Sequence, residues 1–284
     1  MNEQAAAGPG IGPITGVTIS TPHLAASEAA YVRHLGYRVR QRGRISALQA
    51  ETWQRPAASG ARFVSLVPEA AEDFEFRFVE VPAPAQPYRA FSAYGWNAAE
   101  LIVQDVDALA AELAGGSFEI LGPPQDLSFS DAIRAMQIRG PAGEILYLTQ
   151  FKRELPALPA PPARCRTDKV FIVIVGGPSL DGLLDFYGSR FGVSAPQRME
   201  SRVKVMSEVF GLSAEERYPI AALPLRARCY IEADQMPAAA RAPAVGSGQL
   251  PPGIAVVTFA RQQPGATTAL AGPGGEIIEL VTLP

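Results

Sequence analysis

Two stretches of the chain are near copies of each other: Gly140-Pro-Ala-Gly-Glu-Ile-Leu-Tyr-Leu148 and Gly272-Pro-Gly-Gly-Glu-Ile-Ile-Glu-Leu280, with six of nine residues identical. Pro-x-Gly between two apolar, alternating runs is a hairpin turn, because Pro presets φ and Gly accepts φ > 0. Repetition of this kind implies a chain assembled from copies of one supersecondary unit. The starts of the copies are legible too. Short β-like runs open at Gly16 to Ser20, Ala98 to Val103, Val170 to Val175 and Ile254 to Phe259. An amphipathic helix follows the first three. Leu24, Tyr31, Val32 and Leu35 recur at helical spacing before Gly36, and Leu183, Leu184, Tyr187 and Phe191 do so before Gly192. Tyr-x-x-x-Leu-Gly and Tyr-x-x-x-Phe-Gly therefore hold the same place in both units. Val106, Leu109, Ala110 and Leu113 play this part ahead of Gly115 and Gly116. After Ile254 to Phe259, Arg261 to Ala266 leaves no room for a helix, so the last unit is abbreviated.

Proline marks the boundaries. Val81 to Pro87, Leu155 to Pro162 and Met236 to Pro252 each carry Pro spaced so that neither helix nor central strand continues through. They divide the 284 residues into four units of strand, helix and further strands. At 48% hydrophobic and 19% charged residues the chain is too apolar for disorder. A net charge of −3 with scattered Lys and Arg argues against nucleic acid, and Arg38 to Arg44 reads as the solvated face of a strand. Met1 to Pro13 lacks the basic and apolar regions of a signal peptide, and the longest apolar run, Val170 to Val175, is far too short to span a bilayer. Cys165 and Cys229, with no CxxC spacing, read as reduced thiols. A cytoplasmic location without membrane contact is the expectation.

The Gly-Pro-x-Gly-Glu hairpins and the Tyr-x-x-x-(Leu/Phe)-Gly helix ends resemble those of the vicinal oxygen chelate superfamily, which includes glyoxalase I, bleomycin-resistance proteins and extradiol dioxygenases. The resemblance runs from about Ile14 to Leu283. It implies an α+β fold of tandem βαβββ modules paired into two curled-sheet, cup-shaped domains: residues 14–152 as an N-terminal pair, 153–166 as a Pro-rich linker, and 167–284 as a C-terminal pair. It also implies a divalent metal held by a His opening a first strand and a Glu in a last strand. Those positions fall at about Gly16, Ala98, Lys169 and Ile254, and near Arg77, Tyr147, Glu232 and Glu279. None of the first four is His. His23 and His34, the two in the chain, lie at a turn and in a helix. Glu279 keeps a carboxylate without histidine partners, so no metal ligands and no cofactor are expected.

Strand parity then selects the inward side chains. The first pair of modules presents Thr18, Arg77, Ala98, Glu100 and Tyr147, with Ile102 and Ile145 as apolar walls. Arg77 suits a carboxylate or enolate, Glu100 a general base and Tyr147 a proton donor; alternatively Arg77 and Glu100 form an ion pair. The second pair presents Lys169, Phe171, Val173, Glu232, Thr258 and Glu279, with Lys169 between the carboxylates in the place of the metal. Arg198 to Leu223, with Met199, Met206, Phe210 and Tyr218, is long enough to cover a cup or to pack between domains. Gly176 to Ser179 reads as a turn with Ser179 as helix N-cap.

The favoured expectation is a metal-independent enzyme of lyase, isomerase or hydrolase type. It would act on a small aromatic or carbonyl-bearing metabolite by acid/base catalysis through Glu100, Tyr147 and Arg77, with Thr18, Ile102, Ile145 and Phe171 binding the substrate. The rivals are a non-catalytic ligand-binding or resistance protein and an extradiol dioxygenase with displaced metal ligands. Because family members often associate, a homodimer is the assembly the resemblance suggests.

Overall fold

The computed structural model describes residues 10–84, 87–194 and 197–283; Met1 to Pro9 of the lead-in lie outside them. The first module runs β1 (Ile11–Thr21), α1 (Leu24–Leu35), β2 (Arg38–Arg44), α2 (Ala47–Thr52), β3 (Arg62–Val67) and β4 (Glu75–Glu80). The second comprises β5 (Gly95–Val103), α3 (Val106–Leu113), β6 (Glu119–Leu127), β7 (Ser130–Arg139) and β8 (Ile145–Phe151). The third comprises β9 (Thr167–Gly177), α4 (Leu180–Phe191), β10 (Arg198–Ser201), α5 (Lys204–Phe210), β11 (Tyr218–Pro224) and β12 (Tyr230–Gln235). The fourth has three strands, β13 (Gly253–Arg261), β14 (Thr268–Ala271) and β15 (Ile277–Val281), and the helix is absent as its short sequence requires.

Local chemistry sets the element ends. Gly36 and Gly192 close α1 and α4 at φ of 72° and 65°, the left-handed conformation that lets a helix stop without a Cβ clash. The Ser179 hydroxyl caps α4 by accepting the Gly182 N–H at 3.2 Å, and Asp105 caps α3 through the Ala108 N–H at 2.9 Å. Leu24, Tyr31 and Leu35 face the core, whereas Val32 stays 40% exposed. The segment from Arg198 to Leu223 is β10, α5 and the start of β11, not a free-standing cover.

Two sheets result, in strand order β14-β15-β13-β1-β4-β3-β2 and β10-β11-β12-β9-β5-β8-β7-β6. In each, two modules meet through their first strands, β1 against β13 and β5 against β9, both antiparallel. The sheets thus join the first module to the fourth and the second to the third. This corrects the expected partition, in which 14–152 and 167–284 would each close a cup of their own.

The reason lies in what consecutive modules already share. A module has an unpaired first-strand edge and an apolar helix face, and each must be satisfied. Modules one and two use their helix faces on each other. The Tyr31 hydroxyl of α1 donates to Glu144 Oε1 at 2.8 Å, on the hairpin between β7 and β8. Modules three and four repeat the contact: the Tyr187 hydroxyl of α4 donates to Glu276 Oε1 at 3.0 Å, between β14 and β15. The first-strand edges remain for the other partner.

This contact also accounts for the repeated hairpin residue by residue. Each carboxylate folds back over its own turn, where Oε2 accepts the Ala142 N–H at 2.9 Å or the Gly274 N–H at 2.8 Å. A Cβ at Gly140 or Gly272 would overlap that carboxylate. Gly143 and Gly275 take φ of 82° and 80°. Both carboxyls are buried, and burial pushes each up to about 7.

Tyr31→Phe strips a donor from a buried carboxylate. It is expected to cost roughly 1–3 kcal/mol, as is Tyr187→Phe, and the two losses should add because the contacts share no residue. Gly140→Ala and Gly272→Ala are expected to cost at least as much, by forcing the carboxylate out of its turn. Urea unfolding of the four variants against the parent checks both statements.

Candidate functional site

The first cup, on the concave face of the β1/β13 sheet, is filled. Ile45, Ala50, Trp53 and Ala58, from the stretch between β2 and β3, form a separate apolar cluster with Val79, Leu250, Val256 and Ile277. Beneath them lies Glu279, 2% exposed. Its Oε1 accepts from Trp53 Nε1 at 2.8 Å and from Gln49 Nε2 at 2.6 Å, and its Oε2 from the Thr258 hydroxyl at 2.7 Å. Thr18 pairs with Arg77 across β1 and β4 and is buried. Arg77 donates to Glu75 at 2.6 Å, with its guanidinium carbon 5.8 Å from the Trp53 ring centroid and 5.9 Å from that of Phe63.

Arg77 and Thr18 therefore do not join Glu100 and Tyr147, which sit in the other sheet. The reason is the module pairing: β4 belongs with β13 and β15, and β5 with β9 and β12. The Arg77–Glu100 ion pair is replaced by Arg77–Glu75. Lys169 does not bridge Glu232 and Glu279, because those carboxylates lie in different sheets; its ammonium binds Asp73 at 3.0 Å.

The second cup gathers what remains. Glu100 on β5 is opposite Tyr147 on β8 and Ile172 on β9, and Glu232 on β12 is opposite Ile174. Asp234 is two residues along β12 from Glu232 and shares its face. Ile102 and Ile145 lie on the same face as Glu100, as parity predicts, and both are buried. Phe171 is fully buried with its ring edge-on to Phe151, so it is packed in the core and is not an accessible wall.

The polar groups of this face are linked by hydrogen bonds and shifted in their titration. Glu100 Oε1 accepts the Thr149 hydroxyl at 2.6 Å, which orients the carboxyl and leaves its second oxygen free. Burial pushes Glu100 up to about 7 against the opposing pull of that hydrogen bond. The Tyr147 oxygen accepts from Gln137 Nε2 at 2.8 Å, so its own proton is available to donate. Burial and then the charges of Glu232, Asp234 and Glu100 hold the phenol well above its ordinary range. Burial and then Glu100 push Glu232 up to about 7, and burial and Glu232 push Asp234 upward. Glu100, Tyr147 and Glu232 keep partial exposure and remain reachable from solvent. Thr149, Gln137 and Asp234 were not singled out from the sequence. Asp234 was within reach of the parity rule, two residues from Glu232; the other two depend on strand register.

A broad surface groove of about 720 Å³ lies elsewhere, lined by His23, Arg42, Arg44, Arg62, Phe63 and Glu80 among others. Arg42 and Arg62 there are paired with Glu28 and Glu80, and Arg44 donates to the Gly60 carbonyl.

Neither a protein-family model nor a curated protein matches the sequence. Solved structures do match over nearly the whole chain. Glyoxalase I from Zea mays superposes with a TM-score of 0.63 over 95% of this chain and 92% of its own, at 14% identity. A candidate dioxygenase from Bacillus subtilis subsp. subtilis str. 168 gives 0.62 over 98% and 87%, at 10% identity. The chain shares the fold of glyoxalase I. At such identities the likeness concerns architecture and leaves chemistry to the residues.

The divalent metal that the sequence resemblance implied does not suit the residues of either cup. Glu279, which stands at a family ligand position, has both oxygens engaged by three neutral donors and Trp53 packed over it. The second cup offers carboxyls and a phenol but no imidazole. Among the described residues, no three His, Cys, Asp or Glu side chains are grouped to hold a metal ion. His34 packs its ring against Phe118, and His23 precedes α1. Both cysteines are free and buried. No helix among the described residues is long and apolar enough to cross a membrane.

The buried carboxyls carry a pH signature. Glu100, Glu144, Glu232 and Glu276 stand at about 7 in the fold, against an ordinary value of 4.5. A raised carboxyl means that the folded protein keeps protons that the unfolded chain releases. Their stabilising effect is complete below 4.5 and is lost as pH rises through about 7. The melting temperature is expected to fall by roughly 5 °C or more between pH 5 and 8, as differential scanning calorimetry across that range would record.

Proposed function

We propose that the protein is a metal-independent enzyme that moves a proton on a small aromatic or carbonyl-bearing molecule held in the second cup, with Glu100 as base and Tyr147 as acid. The observation that carries this reading is the pairing of Glu100 and Tyr147 on neighbouring strands with complementary states. One is a carboxyl at about 7 with a free oxygen; the other is a phenol that keeps its proton and has it to spare. A base poised near neutral pH works with both a useful ionised fraction and a useful driving force.

The chemistry follows from the order of protonation. With Glu100 ionised, its free oxygen takes a proton from carbon or oxygen next to a carbonyl. Tyr147, on the adjacent strand, donates a hydrogen bond to the charge that develops on the carbonyl oxygen. Thr149 holds Glu100 in place, and Gln137 aims the Tyr147 hydroxyl outward. Lyase and isomerase outcomes share this first step, and the substrate's leaving group decides between them. Arg77 has no part in it, being in the filled cup.

Exchange of α-C–H for deuterium in aryl ketones and 2-oxo acids dissolved in D2O, followed by NMR, reads the step directly. The parent protein is expected to catalyse exchange with a rate that rises with pH to a plateau above about 7, since the base must lose its proton first. Glu100→Gln should lower the rate by about 100-fold or more, and Tyr147→Phe by roughly 10- to 100-fold. Ligands that bind the cup yet exchange no faster than in buffer would replace the enzyme with a binding protein.

A further inference from the structure

Residues 46–59, which link β2 to β3, form a loop with a closed neck. The Ile45 N–H donates to the Ala61 carbonyl at 2.9 Å and the Gly60 N–H to the Ile45 carbonyl at 2.8 Å, continuing the ladder in which Arg44 faces Arg62. Inside the neck the loop bonds to itself. The Ser46 hydroxyl caps α2 by accepting the Gln49 N–H at 3.1 Å. The Ala50 N–H donates to the Ser46 carbonyl at 3.0 Å, the Arg55 N–H to the Ala50 carbonyl at 2.8 Å and the Ser59 N–H to the Pro56 carbonyl at 3.1 Å. A compact surface loop with joined ends is an Ω-loop, and motion of this one as a single body breaks none of these bonds. A hinge is present as well. Gly60 stands at φ 77°, and a Cβ there would meet no atom within 4 Å, so the neck turns in open space.

What holds the loop down is small and centred on one carboxylate. Beyond the neck, its hydrogen bonds to the body among the described residues are those of Trp53 Nε1 and Gln49 Nε2 to Glu279 Oε1, at 2.8 and 2.6 Å, and of the Ala57 N–H to the Gly248 carbonyl, at 3.0 Å. Ala50, Trp53 and Ala58 rest on Val79, Val256 and Ile277 in a cluster separate from the main core. The closed position carries a cost, since the buried Arg55 Nε has no acceptor among the described residues. Water repays most of what Glu279 loses when its two N–H donors leave. We propose that residues 46–59 are a lid, hinged at Gly60 and latched by Glu279, whose opening turns the filled first cup into one that presents Glu279, Thr258 and Arg77 to solvent. Those three lie together under it: Thr258 donates to Glu279 at 2.7 Å, and the Arg77 guanidinium is 5.8 Å from the Trp53 ring centroid. The gate belongs to the first cup and is independent of the chemistry assigned to the second.

Two indole N–H groups make the test internal. Trp53 is 1% exposed and Trp96 4%, and each indole donates a hydrogen bond, Trp53 to Glu279 and Trp96 to the Ile277 carbonyl at 2.9 Å. Burial alone predicts similar protection for both. With a lid, the Trp53 indole is expected to exchange at least tenfold faster than that of Trp96, as hydrogen exchange of the isotope-labelled full chain followed by NMR would record. The Ala57 amide should exchange with it, while the Ala50 and Arg55 amides, bonded within the loop, stay protected, each judged against its rate in the unfolded chain. Gln49→Ala removes one latch bond at a half-buried position and should speed Trp53 exchange by about fivefold, leaving Trp96 unchanged. Equal protection of the two indoles would overturn the lid. Exchange of the Ala50 and Arg55 amides together with the Trp53 indole would mean local unfolding and overturn the hinge. Gln49→Ala speeding both indoles alike would make Glu279 part of the global core and overturn the latch.

Discussion

The fold depends on a buried tyrosine–glutamate contact made twice. Tyr31 with Glu144 joins the first module to the second, and Tyr187 with Glu276 joins the third to the fourth. The first-strand ladders join the second to the third and the fourth to the first. The four modules therefore close into a ring whose joints alternate between hydrogen-bonded clasp and shared sheet. A carboxyl placed under a helix is tolerable only if every lone pair has a donor, which is why tyrosine, two hairpin glycines and a backbone N–H recur together. The missing helix of the fourth module does not break the ring, because that module contributes the hairpin side of its clasp.

Closing the ring creates two cups of similar architecture and different lining. In the first, the stretch between β2 and β3 folds inward, so that Trp53 covers Glu279 and its indole N–H satisfies the carboxylate. Carboxylate, indole, amide and hydroxyl form a saturated set, and a saturated set has nothing left for a ligand. In the second, the equivalent stretch of module three carries α5, whose Val205 and Met206 merge with the main core. There the Glu100 carboxyl accepts from Thr149, Tyr147 accepts from Gln137 and keeps its own proton to donate, and Asp234 has no hydrogen-bond partner among the described residues.

The second lining has a cost. Glu100, Glu232 and Asp234 are withdrawn from water together, and their raised titration expresses that burial first, with like-charge repulsion second at Glu232 and Asp234. The two clasps share the raised carboxyl but not the strain, since their glutamates are fully bonded. Carboxyls with the same apparent titration thus sit in two different hydrogen-bonding environments. Hydrogen-bond partners, not the pKa, tell them apart.

Much of this was written in the chain. Gly140 to Leu148 and Gly272 to Leu280 declare a repeat, Gly36 and Gly192 stop two helices, and the short span after Phe259 removes a third. These are local rules, set by φ preferences and by periods of 2 and 3.6, and they are read without knowing any partner. Glu100, Tyr147, Ile102 and Ile145 share a face for the same local reason. Which module closes a sheet with which is not local. Every first strand presents a competent edge, and the choice falls to whichever pairing leaves α1 over the Glu144 hairpin and α4 over the Glu276 hairpin. That choice took Arg77 and Thr18 away from Glu100, gave Lys169 to Asp73, and put Trp53 into one cup and an unpartnered Asp234 into the other. Sequence determined the modules and their faces; tertiary structure decided the company each face keeps, because burial and charge compensation are properties of neighbours far apart in the chain.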